Sequence, residues 1–183
     1  MNIDLEKLNS IDLTHLAPLI TNNEHRGYFL EKPGREHYKL LSYFSQIADE
    51  KTVMLDVGTN RALSALAMST NPSVQVVSFD LDNYREITGY PKNVEFILDW
   101  VTMPKYKNLV MDSSFIFLDT LHDGIFENQF YHYLRSIGWK GILLLDDIKL
   151  NQPMMEFWSV ITEEKYDVSQ YGHWSGTGLV IFE

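Results

Sequence analysis

The sequence predicts an α/β fold: a seven-stranded, mostly parallel sheet with helices on both faces and an antiparallel last strand. Three observations lead there. From residue 53 onward, short apolar runs alternate with helix-like segments. Several runs are apolar at almost every position, the pattern of strands buried on both faces. The last two runs flank HWSG (173–176), a hairpin-like junction that turns the final strand back on its neighbour.

The elements follow in order. VMLDV (53–57) reads as a strand and RALSALAMS (61–69) as a helix. VQVVSFD (74–80) and NVEFIL (93–98) are the next strands, the latter followed by a polar stretch containing Pro104. SFIFLD (114–119) is an apolar strand ending in an acid. FENQFYHYLRSI (126–137) is an amphipathic helix closed by Gly138, and GILLLDD (141–147) is a buried strand. PMMEFWSVI (153–161) starts a helix with proline, whose missing N–H costs nothing there. YDVSQYG (166–172) and TGLVIF (177–182) complete the set. Ahead of this core, 51–183, lie LEKLNSIDLTHLAPLI (5–20) and REHYKLLSYFSQIA (35–48), which read as helices separated by Pro33-Gly34. No linker divides them from the core, so 1–183 is expected to be one domain, with 1–50 as a helical cap over the ligand end of the sheet.

Composition narrows the function. The 183 residues are 45% hydrophobic and 22% charged, ordinary for a globular chain that buries a full core. Cysteine is absent, which excludes disulfides and cysteine-ligated metal centres. The net charge of −10 repels phosphate backbones and argues against nucleic acid, leaving a small molecule as the expected partner. MNIDLEKLNS lacks the apolar core of a signal peptide, and no apolar run approaches a membrane span. A cytoplasmic protein with no membrane partner is the expectation.

Ligands in parallel sheets bind at the carboxyl ends of the strands. Those ends carry acids here: Asp56, Asp80 (with Asp82 close by), Asp99, Asp119, and Asp146-Asp147. LDVGTNRALSALAMS is the most informative stretch, with an acid, then Gly58, then a small-residue helix. Gly58 permits a tight turn and close backbone approach to a ligand. A dinucleotide site would call for G-x-G-x-x-G, and only one glycine is present. Asp56 beside the turn suits an ammonium group better than a pyrophosphate. The competing reading is a plain strand–turn–helix junction.

DVGTNRALSALAMS, FLDTLHD and GILLLDDI together resemble three ordered motifs of class I, Rossmann-like S-adenosylmethionine-dependent methyltransferases, in the small branch of catechol O-methyltransferase-like proteins. The resemblance covers roughly residues 34–183. It implies S-adenosyl-L-methionine as cofactor and an oxygen or nitrogen of a small molecule as acceptor. It implies a cofactor site at Asp56, Gly58, Thr59, Asn60, Ser64, Asp80, Leu81, Asp99, Trp100 and Asp119. Asp80, about 20 residues past the glycine turn, is the ribose position, since a carboxylate accepts from both hydroxyls; capping of the next turn is the alternative. Asp99 and Trp100 would flank adenine, or else be a solvated acid and a core tryptophan. His122, with Asp119, is the expected catalytic pair, His122 acting as base or only as a hydrogen-bonding group.

Two departures from the family pattern stand out. Its third glycine is Ala62 here, which would set the helix farther from the ligand. Its metal-dependent members carry Asp, then Asp-Asn, with a lysine three residues after the first Asp. This chain has Asp119, Asp146-Asp147 and His122 at those places. Asp119, Asp146 and Asp147 could hold Mg²⁺ or Ca²⁺, but no metal is the favoured expectation. The carboxylates would then be neutralised by a proton, by Arg61 or Lys149, or by outward rotation of Asp147. Glu36, His37, His173 and Trp174 are expected at the pocket's border, or as ordinary packing residues. His132 is expected to be packed or exposed. An NAD(P)-dependent oxidoreductase and a non-catalytic binding module of the same fold are the other readings.

Overall fold

The computed structural model describes residues 3–183. Seven strands form one sheet: β1 (Val53–Val57), β2 (Gln75–Asp80), β3 (Val94–Leu98), β4 (Ser113–Leu118), β5 (Gly141–Asp146), β6 (Glu164–Asp167) and β7 (Thr177–Phe182). Their order is β3-β2-β1-β4-β5-β7-β6. β1 to β5 are mutually parallel, and β7 runs antiparallel to both β5 and β6. The predicted antiparallel last strand is present. The order reverses at β1 and β4, which makes their carboxyl ends the topological switch point.

Strand alternation divides the core between the two faces. Met54, Val76, Phe115, Phe117 and Leu144 meet α1 (Leu5–Ser10), α3 (Tyr38–Ile47) and α4 (Leu63–Met68) on one face. Leu55, Val77, Ile116, Leu118 and Leu143 meet α5 (Lys107–Asp112), α6 (Ile125–Ile137) and α7 (Gln152–Val160) on the other. α2 (Asn23–Phe29) lies between α1 and α3. No helix among the described residues is long and apolar enough to cross a membrane.

The N-terminal segment differs from its sequence reading in two ways. The continuous helix expected over 5–20 is broken into α1 and a short 3-10 turn, Ala17–Leu19. The Asp12 carboxylate caps the Thr14 N–H at 2.9 Å between them, a local bond that competes with helix. α2 was not anticipated, because only His25 and Phe29 of its seven residues are buried. The segment also covers a sheet face: Leu8, Ile11, Leu13, Leu40 and Leu41 belong to the core beside α4. His25, Tyr28, His37 and Tyr38 reach the ligand end.

Candidate active site

The carboxyl ends of β1 to β4 open onto a cleft of about 540 Å³, within the range of small-molecule sites. Gly58, Asn60, Asp80, Leu81, Asp99, Trp100, Asp119 and His122 all line it. A recess of about 60 Å³, lined by Thr59 and Ser64 with His25, His37 and Arg61, adjoins it. Gly58, Asn60 and Asp119 line both spaces, so they sit where the two meet.

The β1 turn is fixed by its neighbours. Gly58 has φ 104°, and a Cβ there would lie 1.6 Å from the Asp119 carbonyl oxygen. The close approach that demands glycine is thus to the end of β4. The Gly58 and Thr59 N–H groups both donate to the Phe79 carbonyl, at 2.9 and 3.1 Å. The Asn60 N–H donates to Asp80 Oδ2 at 2.7 Å. These donors serve the protein itself, unlike the free N–H groups of a pyrophosphate cradle. Ala62, at the family's glycine position, adopts the left-handed conformation itself, with φ 71°. The substitution is absorbed as backbone strain of about 1–2 kcal/mol.

Asp56 corrects one expectation. Alternation along β1 sends it to the α4 side with Met54, and it lies fully buried beneath the turn, off the cleft wall. Ser78, its partner across β2, donates to it at 2.6 Å, and Ser78 and Thr59 share a 2.6 Å hydroxyl contact. Burial pushes its carboxyl up to about 7, against the pull of the Ser78 and Ser64 hydroxyls. It supports the turn from below.

The outer half of the cleft is open and backbone-anchored. Asp80 lines the cleft while Oδ2 accepts from Asn60 and Oδ1 caps the following turn, accepting from the Leu81 and Asp82 N–H groups at 2.7 and 3.3 Å. Asp99 accepts from the Trp100 N–H at 2.8 Å and pairs with Lys105 at 2.7 Å. Lys105, the Trp100 N–H and Tyr106 hold the Asp99 carboxyl below its usual range. Trp100 is 48% exposed, a half-open ring resting against Phe126 at 5.7 Å between centroids rather than a core residue.

The inner half pairs every carboxylate with a histidine. His122 Nε2 lies 3.1 Å from Asp119. His37 Nδ1 lies 3.4 Å from Asp146, and His173 Nδ1 lies 3.0 Å from Asp147. The histidines thus take the neutralising role expected of Arg61 or Lys149. Arg61 faces Glu86 at 3.7 Å and Lys149 faces Asp167 at 2.5 Å. Asp147 stays buried rather than turning outward. Burial alone would lower the His122 pKa, but Asp119, Asp147 and Asp146 raise it to about 9. Burial raises the Asp119 carboxyl, with Asp146 adding to it and His122 and His37 opposing. His122 and Asp147 hold left-handed backbone, φ 55° and 59°, a form of strain that clusters at functional sites.

The hard three-carboxylate metal set does not fit. Among the described residues Asp119, Asp146 and Asp147 do not gather as one ligand group: Asp147 Oδ1 accepts from Ser175 and faces His173, while its Oδ2 lies 3.6 Å from His122. By contrast, His37 Nδ1 and Asp146 Oδ1 are buried without a hydrogen-bond partner among the described residues.

Sequence reasoning missed the residues that hold this half in place. Glu127 is buried, and its Oε1 accepts from Thr120 Oγ1 at 2.7 Å and from the His122 N–H at 2.9 Å. Asn151 donates to the His122 carbonyl at 2.8 Å and caps α7. The one sequence signal was an acid inside the first turn of an apolar helix face. His132 is exposed on α6, away from the site. Trp174 is 67% exposed beside His173, and Glu36 faces His173 at 3.8 Å.

No family model matches the sequence, and no curated protein matches it. Solved structures do match in fold. A Staphylococcus aureus protein described as a caffeoyl-CoA O-methyltransferase aligns with TM-score 0.59 at 13% identity, over 80% of this chain and 82% of that one. The precorrin-6y C5,15-methyltransferase of Geobacter metallireducens aligns with TM-score 0.53 at 13% identity, over 71% and 73%. SMU.776, described as a methyltransferase and solved with S-adenosylhomocysteine, aligns with TM-score 0.53 at 9% identity, over 79% of this chain and 48% of that one. The chain has the Rossmann-like methyltransferase fold.

Proposed function

We propose that this protein is an S-adenosylmethionine-dependent methyltransferase that modifies an oxygen or nitrogen of a small molecule. The observation that carries the reading is the cleft itself. It sits at the switch point of a 3-2-1-4-5-7-6 sheet, with Asp80, Asp99 and Trp100 at one end and His122 at the other. That spacing suits a nucleoside at the outer end, its ribose on Asp80 and its adenine against Trp100. The amino-acid end would then enter the recess beside Thr59 and Ser64, bringing the sulfonium to the Gly58–Asp119 junction.

The reaction is an in-line displacement. The acceptor's lone pair forms the new bond to the methyl carbon, the carbon–sulfur bond breaks, and its electrons stay on sulfur as a neutral thioether. The protein's part is alignment and exclusion of water. The acceptor's proton is assigned to the His122–Asp119 pair. His122 is charged near neutrality, so it accepts that proton only as pH approaches about 9. Methyl transfer is therefore expected to be faster at pH 9 than at pH 7.

Isothermal calorimetry with S-adenosylhomocysteine and with NAD tests the cofactor assignment. Saturable binding of the first and none of the second is expected. The reverse pattern would replace the reading with a dinucleotide enzyme. Transfer of labelled methyl to a panel of hydroxylated and amino compounds then separates a catalyst from a binding module.

A further inference from the structure

We propose that His37, Asp146 and His173 form a binding site for one divalent ion of the borderline transition class, represented by Zn²⁺, and not for a hard ion such as Mg²⁺. Topology gathers the three from distant places: the approach to α3, the end of β5 and the β6–β7 turn. Their donor atoms all lie within 4.8 Å of one another.

The spacing is the first argument. His37 Nδ1 and His173 Nδ1 lie 3.4 and 3.7 Å from Asp146 Oδ1. Donors about 2.1 Å from a tetrahedral ion stand about 3.4 Å from each other. The second argument is the pair of orphaned atoms. His37 and Asp146 side chains are each only 5% exposed, and the two atoms face each other without an aligned hydrogen bond. Leaving buried polar atoms unpaired is costly, and a shared cation satisfies both.

Donor chemistry sets the class of ion. Two imidazoles and a carboxylate suit Zn²⁺, Fe²⁺ or Co²⁺, whereas Mg²⁺ favours oxygen donors and retained water. The surroundings add support. Without the ion, His173 Nδ1 rests against Asp147 Oδ1 at 3.0 Å and Ser175 Oγ at 2.5 Å, contacts it exchanges for the ion on binding. The other nitrogen of His173, Nε2, lies 3.8 Å from Glu36 Oε1, a carboxylate placed to hold the ring. When bound, the ion would supply positive charge beside the acceptor end of the cleft. The assignment does not depend on the methyltransferase reading.

The test is calorimetry on the chelator-stripped full chain with ZnCl₂ and with MgCl₂, plus the visible absorption of Co²⁺ added to the same protein. One Zn²⁺ per chain, binding at least about 100-fold tighter than Mg²⁺, and intense Co²⁺ bands from a low-coordinate nitrogen site are expected. His37→Gln and His173→Gln should each weaken Zn²⁺ by about 30-fold or more, and Asp119→Asn by less than about 5-fold. Circular dichroism checks folding. If His37→Gln fails to fold, the partly exposed His173 decides the matter. Wild type that binds no Zn²⁺, Mg²⁺ binding of equal strength, or indifference to His173→Gln would overturn the site. S-adenosylhomocysteine affinity, measured on the same samples, reports separately on the proposed function.

Discussion

The two halves of the cleft handle acids differently. At the ends of β2 and β3, Asp80 is held by backbone N–H groups, and Asp99 by the Trp100 N–H, Lys105 and the Tyr106 hydroxyl. At the ends of β4 and β5, Asp119, Asp146 and Asp147 face imidazoles, the latter two in buried surroundings. A carboxylate fixed by donors from the protein can still offer lone pairs to hydroxyl and amino groups. A carboxylate packed against histidine competes for protons and cations. In the proposed function the first half would hold a neutral nucleoside, and the second would manage charge at the reacting end. Gly58 is the hinge between them, because the β1 turn touches the β4 end there.

The largest expected effect breaks that junction. Gly58→Ala places a methyl inside the Asp119 carbonyl at a φ that disfavours any side chain. A loss of about 4 kcal/mol or more in denaturant unfolding is expected. A loss below 1 kcal/mol would mean the two ends are not in contact.

Next comes pH. Asp56 binds its proton up to about pH 7 in the fold, but only to about 4 in the unfolded chain. Between those values the folded state holds the extra proton, so stability falls as pH rises through the window. The cost reaches up to about 4 kcal/mol above pH 7. Asp56→Asn should remove that slope. The stability difference between variant and wild type should therefore grow from pH 4 to pH 7 and then level off. A constant difference would place Asp56 in a less desolvated setting.

Smaller effects sharpen the outer half. Asp80→Ala should weaken S-adenosylhomocysteine binding by about 1.5–3 kcal/mol, the worth of a charged hydrogen bond. Trp100→Ala should cost about 1 kcal/mol, the worth of one aromatic stack. Both are read by calorimetry, and neither should alter Zn²⁺ affinity.

The sheet was legible because strand ends and acids coincide in the sequence. SFIFLD and GILLLDD declare themselves by apolar runs closed by aspartate, and VMLDV by one with aspartate next to last. α5 was not legible, since six residues of mixed character with only Val110 buried leave no periodic stripe. Local spacing, Gly58 to Asp80 and Asp99 beside Trp100, was enough to bring these four to one cleft. The inner half was harder, because His37, Asp146 and His173 share no spacing and meet only through topology. The burial of Asp56 off the cleft wall was not legible, because position at a strand end does not reveal which face alternation selects. Glu127 was hidden because its role is to hold a loop.

A crystal structure with S-adenosylhomocysteine bound tests the division of the cleft most directly. The account predicts ribose hydroxyls on the Asp80 carboxylate, adenine against the Trp100 ring, and sulfur at the Gly58–Asp119 junction facing His122. A ligand seated with its adenine against the histidines, or bound outside the cleft altogether, would contradict it.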